Sequence, residues 1–225
     1  MAHSPSARHP DTLRGVGFKS LSVGPMAREE MRKVIVEPAR LGAIELQDGL
    51  TDLLLDDTET ADALPLLAFT LRVMWDRYRA DRLFEIDEYD DLGRLEGAVA
   101  QVAEETFDAC MREGDEHSLR DAFLSLARPT EGGAGWARQP VNREDLPPGA
   151  SPMLERFLDK RLLVARADGS IEVAHEALFR SWDRLRAWLA ENSEALLLRQ
   201  EIRLEAEKWH RAERAEERGP YLWRE

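Results

Sequence analysis

A chain of 225 residues with 43% hydrophobic and 7% aromatic residues has the composition of a folded protein rather than a disordered one. Its net charge of −13 at pH 7 disfavours nonspecific binding to nucleic acids and to anionic membranes. Cys110 is the only cysteine, which excludes an internal disulfide and a cysteine-rich zinc site and fits a reducing cytoplasm.

The N-terminal segment is not expected to be a signal peptide. MAHSPSARHP lacks the apolar stretch of a signal peptide, and nowhere does an apolar run reach the roughly 18 residues of a transmembrane helix. We therefore expect no membrane association. Residues 1–20 are interpreted as a disordered lead-in or as the remnant of a preceding domain.

Residues 21–113 are predicted to form a helical bundle, because apolar side chains recur there at intervals of three or four residues. Pro38 is expected to end or kink the first helix, since proline removes a helical hydrogen bond. In the third helix, Met74 and Trp75 are both expected to face the core. The predicted helices cover residues 27–41, 49–56, 63–79 and 95–112.

Residues 114–190 are predicted to form a winged-helix domain. A helix over 116–128 precedes a short edge strand at 136–141 and a helix that opens at Ser151-Pro152. Two alternating strands then flank Asp168-Gly169, a typical two-residue hairpin turn. This order of elements is that of a winged helix, with the hairpin as its small β-hairpin wing.

Residues 191–225 are predicted to be a C-terminal helical extension. Leu178, Trp182, Leu185 and Leu189 form one apolar stripe before it, and a second stripe includes Leu198, Ile202 and Trp209. We expect the second stripe to pack on the winged helix. The alternative is that it serves protein interaction or oligomerisation. The whole chain is thus predicted to be mainly α.

The chain lacks the motifs of an ATPase. LLLDD at 53–57 resembles a Walker B strand, but the nearest candidate for a phosphate loop, GVGFKS at 15–20, has Phe18 where glycine is needed. LLLDD is therefore interpreted as the end of an amphipathic helix. No arrangement typical of a catalytic site is found either, so we expect no enzymatic activity from these residues alone.

A winged helix can bind DNA through the helix that precedes its wing, here 152–161. That helix carries Arg156, Lys160 and Arg161, but also Glu155 and Asp159. Groove binding needs several unopposed cations on one face, because neutralising phosphates supplies most of the affinity. A DNA-binding regulator is kept as an alternative, and nucleic acid is not the expected partner.

His175 lies in EVAHEALFRSW (172–182), where the second hairpin strand gives way to a helix. A helix N-terminus favours anions, because its free N–H groups and its dipole point outward. The imidazole could donate to a phosphate oxygen there. Equally, His175 could cap the helix or pack beneath the wing, and the residues alone leave both interpretations open.

Five stretches resemble the C-terminal part of bacterial STAND NTPases, namely the novel STAND group that is often found upstream of WD-repeat propellers. The resemblance implies a nucleotide-binding core, a helical domain and a winged helix, of which this chain holds the last two. The stretches are LSVGPMAREEMRKVIVEPAR (21–40), ALPLLAFTLRVMWDR (63–77), LEGAVAQVAEETFD (95–108), RFLDKRLLVARADGSIEVAHEALFRSWDRLRAWL (156–189) and LRQEIRLEAEKW (198–209).

The resemblance also implies roles for three residues. ALPLL is similar to a GxP-type motif whose proline abuts the adenine, which assigns Pro65 to nucleotide binding, with Ala63 in place of glycine. VAHEA is similar to an MHD-like motif whose histidine contacts the β-phosphate of ADP, which assigns His175 to the same role. Glu176 then orients His175 or braces the wing.

The expected function is therefore regulatory. The chain would be the part of a STAND-type signalling ATPase that closes over ADP or ATP held by an NTPase core, and residues 1–20 would be the remnant of that core. ADP or ATP would bind only together with the core, which is the expected partner in cis. A C-terminal repeat sensor such as a WD-repeat propeller and self-association are the other expected contacts.

Overall fold

The first half of the chain is helical in the computed structural model, which describes residues 26–58, 63–112, 114–130, 132 and 135–211. Pro65 and the expected core residues of the bundle lie within these ranges, whereas residues 1–25 lie outside them. The helices are α1 (Arg28–Leu41), α2 (Leu50–Asp56), α3 (Ala63–Tyr78), α4 (Ile86–Asp91) and α5 (Arg94–Cys110).

Helix α1 continues through Pro38 to Leu41, so the proline does not end the helix, and the other expected effect, a kink, stays a prediction. Val34 and Pro38 both lie on the exposed side of the helix, where water can bind the carbonyl that the missing N–H leaves free. At the other end, the Glu30 carboxylate accepts a hydrogen bond from the Ala27 N–H at 3.2 Å and closes the first turn.

Met74 and Trp75 do not share an environment, although both were expected to face the core. Met74 is fully buried, whereas Trp75 is 39% exposed. Neighbouring residues on a helix point about 100° apart, so one narrow face cannot hold both. The Trp75 ring instead lies over Gly42, where a Cβ atom would come within 2.7 Å of it.

Two strands of two residues each, which the sequence did not predict, join the ends of the first helices. β1 (Glu45–Leu46) pairs in parallel with β2 (Leu83–Phe84). Their hydrogen bonds fix the segment after α1 beside the segment after α3. Strands this short have no recognisable alternation of apolar and polar residues, which is why the pattern did not indicate them.

The second half mixes short helices with small sheets. The predicted strand over 136–141 is in fact two strands on either side of Pro140, which cannot donate to a ladder. Its halves belong to different sheets, one of two strands and one of three. The elements are α6 (Glu116–Ser125), β3 (Ala127–Pro129), β4 (Trp136–Arg138), β5 (Val141–Asn142), α7 (Ser151–Asp159), β6 (Leu163–Ala165) and β7 (Ser170–Val173).

The predicted hairpin at Asp168-Gly169 is confirmed. β6 and β7 pair antiparallel, and Gly169 has φ +85°, a conformation that side chains disfavour. The Asp168 carboxylate accepts hydrogen bonds from the Ser170 N–H at 3.0 Å and from its hydroxyl at 2.6 Å. The mainly α fold is confirmed as well, while the winged-helix interpretation of this part stays a prediction.

Three helices close the described part of the chain: α8 (Leu178–Ser181), α9 (Asp183–Glu191) and α10 (Ser193–Arg211). The first apolar stripe is buried as expected, but the second is not. Leu198 is 52% and Ile202 46% exposed, so the expected packing of this stripe on the winged helix is wrong. Helix α10 is attached instead through buried Leu196 and through Arg199, which donates to the Leu124 carbonyl at 2.9 Å.

One apolar core runs through both halves of the described chain. Helix α5 packs against α3 on one side and against α7 and α8 on the other. The Trp182 indole donates to the Glu104 carboxylate at 2.6 Å, and Arg184 donates to the same group at 2.5 Å. In the described ranges, no helix is long and apolar enough to cross a membrane.

Candidate functional site

The turn between β7 and α8 holds His175 in place. The Ala174 N–H donates to the Leu162 carbonyl at 2.9 Å, which ends the hairpin. The Leu178 N–H then donates to the His175 carbonyl at 3.0 Å and starts α8. This helix ends after four residues, because the backbone at Trp182 turns extended, with ψ 104°. The long helix expected after His175 is thus divided, and a helix of one turn contributes little dipole toward an anion.

The His175 ring is half-buried against helix α3. Its edge meets the Phe69 ring of α3 at a centroid distance of 5.3 Å and an interplanar angle of 68°. Burial lowers the pKa of His175 below its ordinary value, and the positive charge of Arg138 lowers it further. The imidazole is therefore neutral at pH 7 and can offer one N–H as a donor.

A surface pocket of about 300 Å³ brings the predicted site residues together. Pro65, in the first turn of α3, lies on one side, and His175 and Glu176, in the turn before α8, lie on the other. Residues that are far apart in the sequence thus line one opening. The complete lining is Pro65, Leu66, Arg138, Ala174, His175, Glu176, Ala177 and Arg180.

Glu176 links the pocket to the neighbouring sheet. Its Oε1 atom accepts a hydrogen bond from the backbone N–H of Arg138, the last residue of β4, at 3.1 Å. This bond ties the end of β4 to the turn that carries His175. The expected role of Glu176, to orient His175 or to brace the wing, stays a prediction, because β4 belongs to a different sheet from the β6–β7 hairpin.

Two arginines of the pocket were missed by sequence reasoning. The side chain of Arg138 is 48% exposed, and its Nη1 atom lies 4.0 Å from the Glu172 carboxylate. Arg180, on α8, donates through Nε at 2.8 Å and Nη2 at 2.6 Å to Glu96 of α5. No spacing in the sequence relates Arg138 to His175, whereas Arg180 follows His175 by five residues within EVAHEALFRSW and could have been found from the sequence.

The charge of the pocket is opposite to that of the whole chain. Two guanidinium groups and one carboxylate line it, so the lining itself has a net positive charge, and Glu96 pairs with one of the guanidinium groups from outside the lining. An apolar edge formed by Pro65 and Leu66 adjoins these groups. An anion with an adjoining planar apolar group, such as a nucleotide, fits this arrangement.

The acidic LLLDD segment lies elsewhere and has structural contacts. Leu54 and Leu55 are buried in helix α2, as expected for the end of an amphipathic helix. Asp56 accepts a hydrogen bond from Arg28 at 2.5 Å, and Asp57 accepts one from the Tyr89 hydroxyl at 2.7 Å. The other candidate motif, GVGFKS at 15–20, lies outside the described residues.

Comparison with known proteins identifies a family. The family model Novel STAND NTPase 1 matches residues 3–217 of the chain. No curated protein and no solved structure gives a significant match. The matched range contains every residue of the pocket.

Proposed function

The chain belongs to the novel STAND NTPase 1 family, and from this membership we propose that it is a regulatory part of a STAND-type signalling ATPase. It consists of a helical bundle and a winged helix that close over ADP or ATP held by an NTPase core. The observation that carries this proposal is the single pocket that Pro65 and His175 share.

The chemistry of the pocket supports a nucleotide as the bound group. Pro65 offers an apolar surface for the adenine, and the neutral His175 imidazole offers an N–H for a phosphate oxygen. Glu176 holds the β4 edge beside them. None of these residues activates water or acts as a nucleophile, so the chain contributes contacts rather than chemistry, and hydrolysis belongs to the core.

Closure follows from differential affinity. A ligand shifts a conformational equilibrium only by the difference in its affinity for the two states. Contacts from Pro65 and His175 exist only when the chain lies against the core. One hydrogen bond from His175 to an ionised phosphate is worth about 1.5–3 kcal/mol, which shifts the balance roughly tenfold or more. ADP thus favours the closed state. The proposed location of this conformational switch is the cytoplasm.

Association in trans tests this proposal. An ADP-loaded P-loop core of a novel STAND protein is mixed with this chain, and binding is measured by calorimetry with and without the nucleotide. ADP should strengthen association, and His175→Ala should remove roughly tenfold or more of that gain. His117→Ala, at an exposed position of α6, is the matched control. Association that is indifferent to ADP would refute the proposal.

A second candidate function is self-association through α10. Leu198 and Ile202 are about half exposed and lie four residues apart on this helix. Acidic and basic residues are equally frequent along it, so two copies would not repel each other. The proposed occupant of the stripe is a second copy of the chain. Light scattering of the chain with and without residues 193–225 tests this. The same number of copies per particle in both samples would contradict it.

A further inference from the structure

The backbone of Arg138 is fixed by a hydrogen bond, whereas its side-chain guanidinium lies beyond hydrogen-bonding distance of the Glu172 carboxylate. The Glu176 carboxylate binds its N–H at 3.1 Å, which sets its position at the end of β4. The Glu172 carboxylate lies 4.0 Å from Nη1, beyond hydrogen-bonding distance, and is closer to Arg166 at 3.1 Å. The guanidinium of Arg138 therefore lies at the pocket, and its N–H donors are available to a ligand.

Arg180 faces the same pocket, but its donors are shared with α5. Its Nε and Nη2 atoms donate to one oxygen of Glu96, at 2.8 and 2.6 Å. Both side chains of this ion pair are about half exposed, at 55% and 47%, so water and salt screen the attraction. A stronger anion in the pocket can therefore compete with Glu96 for Arg180.

We propose that Arg138 and Arg180 bind the phosphate groups of the nucleotide and that Glu96 is an internal competitor for Arg180. The inference rests on the proposed function and extends it to residues of the same pocket. Guanidinium groups bind phosphate through paired N–H donors, which gives two arginines on one rim a preference for a diphosphate over a single phosphate.

Competition for Arg180 couples the pocket to the packing of α8 on α5. A phosphate that takes donors from Glu96 weakens the ion pair between the two halves of the chain. Binding in the pocket then weakens the α5–α8 contact through the Arg180 side chain. The coupling is reciprocal, so removing the Glu96 carboxylate must strengthen phosphate binding to Arg180 by the factor by which phosphate weakens the ion pair.

An NMR titration of the full chain tests the inference. Inorganic pyrophosphate, orthophosphate and ADP are added at millimolar concentration, and the resonances of the His175 ring report occupancy. Arg138→Gln and Arg180→Gln should each weaken pyrophosphate binding roughly two- to fivefold, as expected for partly exposed ion pairs. Glu96→Gln should strengthen it by a similar factor.

Removing either partner of the Arg180–Glu96 ion pair distinguishes an effect on phosphate binding from an effect on stability. Arg180→Gln and Glu96→Gln remove the same contact and should lower thermal stability alike, yet their effects on pyrophosphate affinity should be opposite. Arg203→Gln and Glu201→Gln on exposed positions of α10 make the same changes in net charge away from the pocket, and they should leave the affinity unchanged. ADP and pyrophosphate should bind more tightly than orthophosphate.

Three outcomes would overturn the inference. They are the absence of any pyrophosphate effect on His175, unchanged affinity in Arg138→Gln, and equal direction of change in Arg180→Gln and Glu96→Gln. Each is compatible with ADP-dependent association with the core, because Pro65 and His175 can supply the contacts that this assay measures without the two arginines. Failure of the two proposals is therefore distinguishable.

Discussion

At the scale of a single residue, the surroundings of His175 control its protonation. Burial against Phe69 disfavours the charged imidazolium, and the charge of Arg138 adds to this effect, so the pKa of His175 is lowered. Above the ordinary value of about 6.5 the ring is neutral in both the folded and the unfolded chain. Below it the unfolded chain binds the proton first, so the free energy of unfolding falls as the pH drops toward the folded pKa.

A pH titration of the His175 ring by NMR should therefore give a midpoint below about 6.5. The resonance is assigned by its loss in His175→Gln. In the same variant, the part of the acid destabilisation that His175 causes should disappear from urea unfolding measured between neutral and mildly acidic pH. A midpoint at or above the ordinary histidine value would show that the ring is not held neutral by burial.

At the scale of one element, α10 differs from the other long helices because its apolar residues are exposed. Leu196 and Arg199 attach its first turns to the body, whereas Leu198 and Ile202 face away from it. An isolated helix of this length is marginal in water, so exposed apolar side chains favour a further contact. The proposed contact is the same stripe on a second copy of the chain.

The double variant Leu198→Glu/Ile202→Glu should lower the mass measured by light scattering to that of a monomer, since glutamates on a paired stripe repel each other. Leu197→Glu/Leu204→Glu is the matched control. Those residues are also exposed, at 42% and 45%, but lie on another side of α10. If the control variant dissociates and the stripe variant does not, the stripe has been assigned to the wrong face.

At the scale of the whole molecule, the two predicted domains share one core. Buried residues of α5, such as Val102 and Phe107, belong to the same cluster as Phe123 and Trp182. Arg184 lies over the Phe107 ring at 3.7 Å and donates to Glu104, so apolar and charged contacts join the halves. The domain boundary expected between residues 113 and 114 stays a prediction, since these contacts join the two halves.

The isolated chain should gain little stability from ADP. Without an NTPase core it holds only the contacts of one pocket, so we expect a dissociation constant in the millimolar range. At a ligand concentration equal to that constant, linkage stabilises the fold by about 0.4 kcal/mol, a rise in Tm of roughly 1–2 °C. Calorimetry at millimolar ADP measures this. Strong protection would mean that the chain binds nucleotide by itself.

The sequence by itself determined the local features of this protein. Apolar periodicity located the long helices, because each buries one stripe. Asp168-Gly169 predicted the hairpin, since few residues other than glycine accept its turn conformation. VAHEA and ALPLL directed attention to His175 and Pro65 through resemblance to a family, and the family assignment is now shown over residues 3–217.

Tertiary structure alone decided what lies beside these features. The proximity of Arg138 to His175 depends on how β4 and the hairpin pack, and the pairing of Arg180 with Glu96 depends on how α8 packs on α5; no sequence spacing encodes either. The same holds for Trp75, whose side chain covers Gly42, and for α10, whose stripe faces outward although its periodicity equals that of a buried helix. Periodicity records that a helix has an apolar face, but only the surrounding elements determine whether anything covers it.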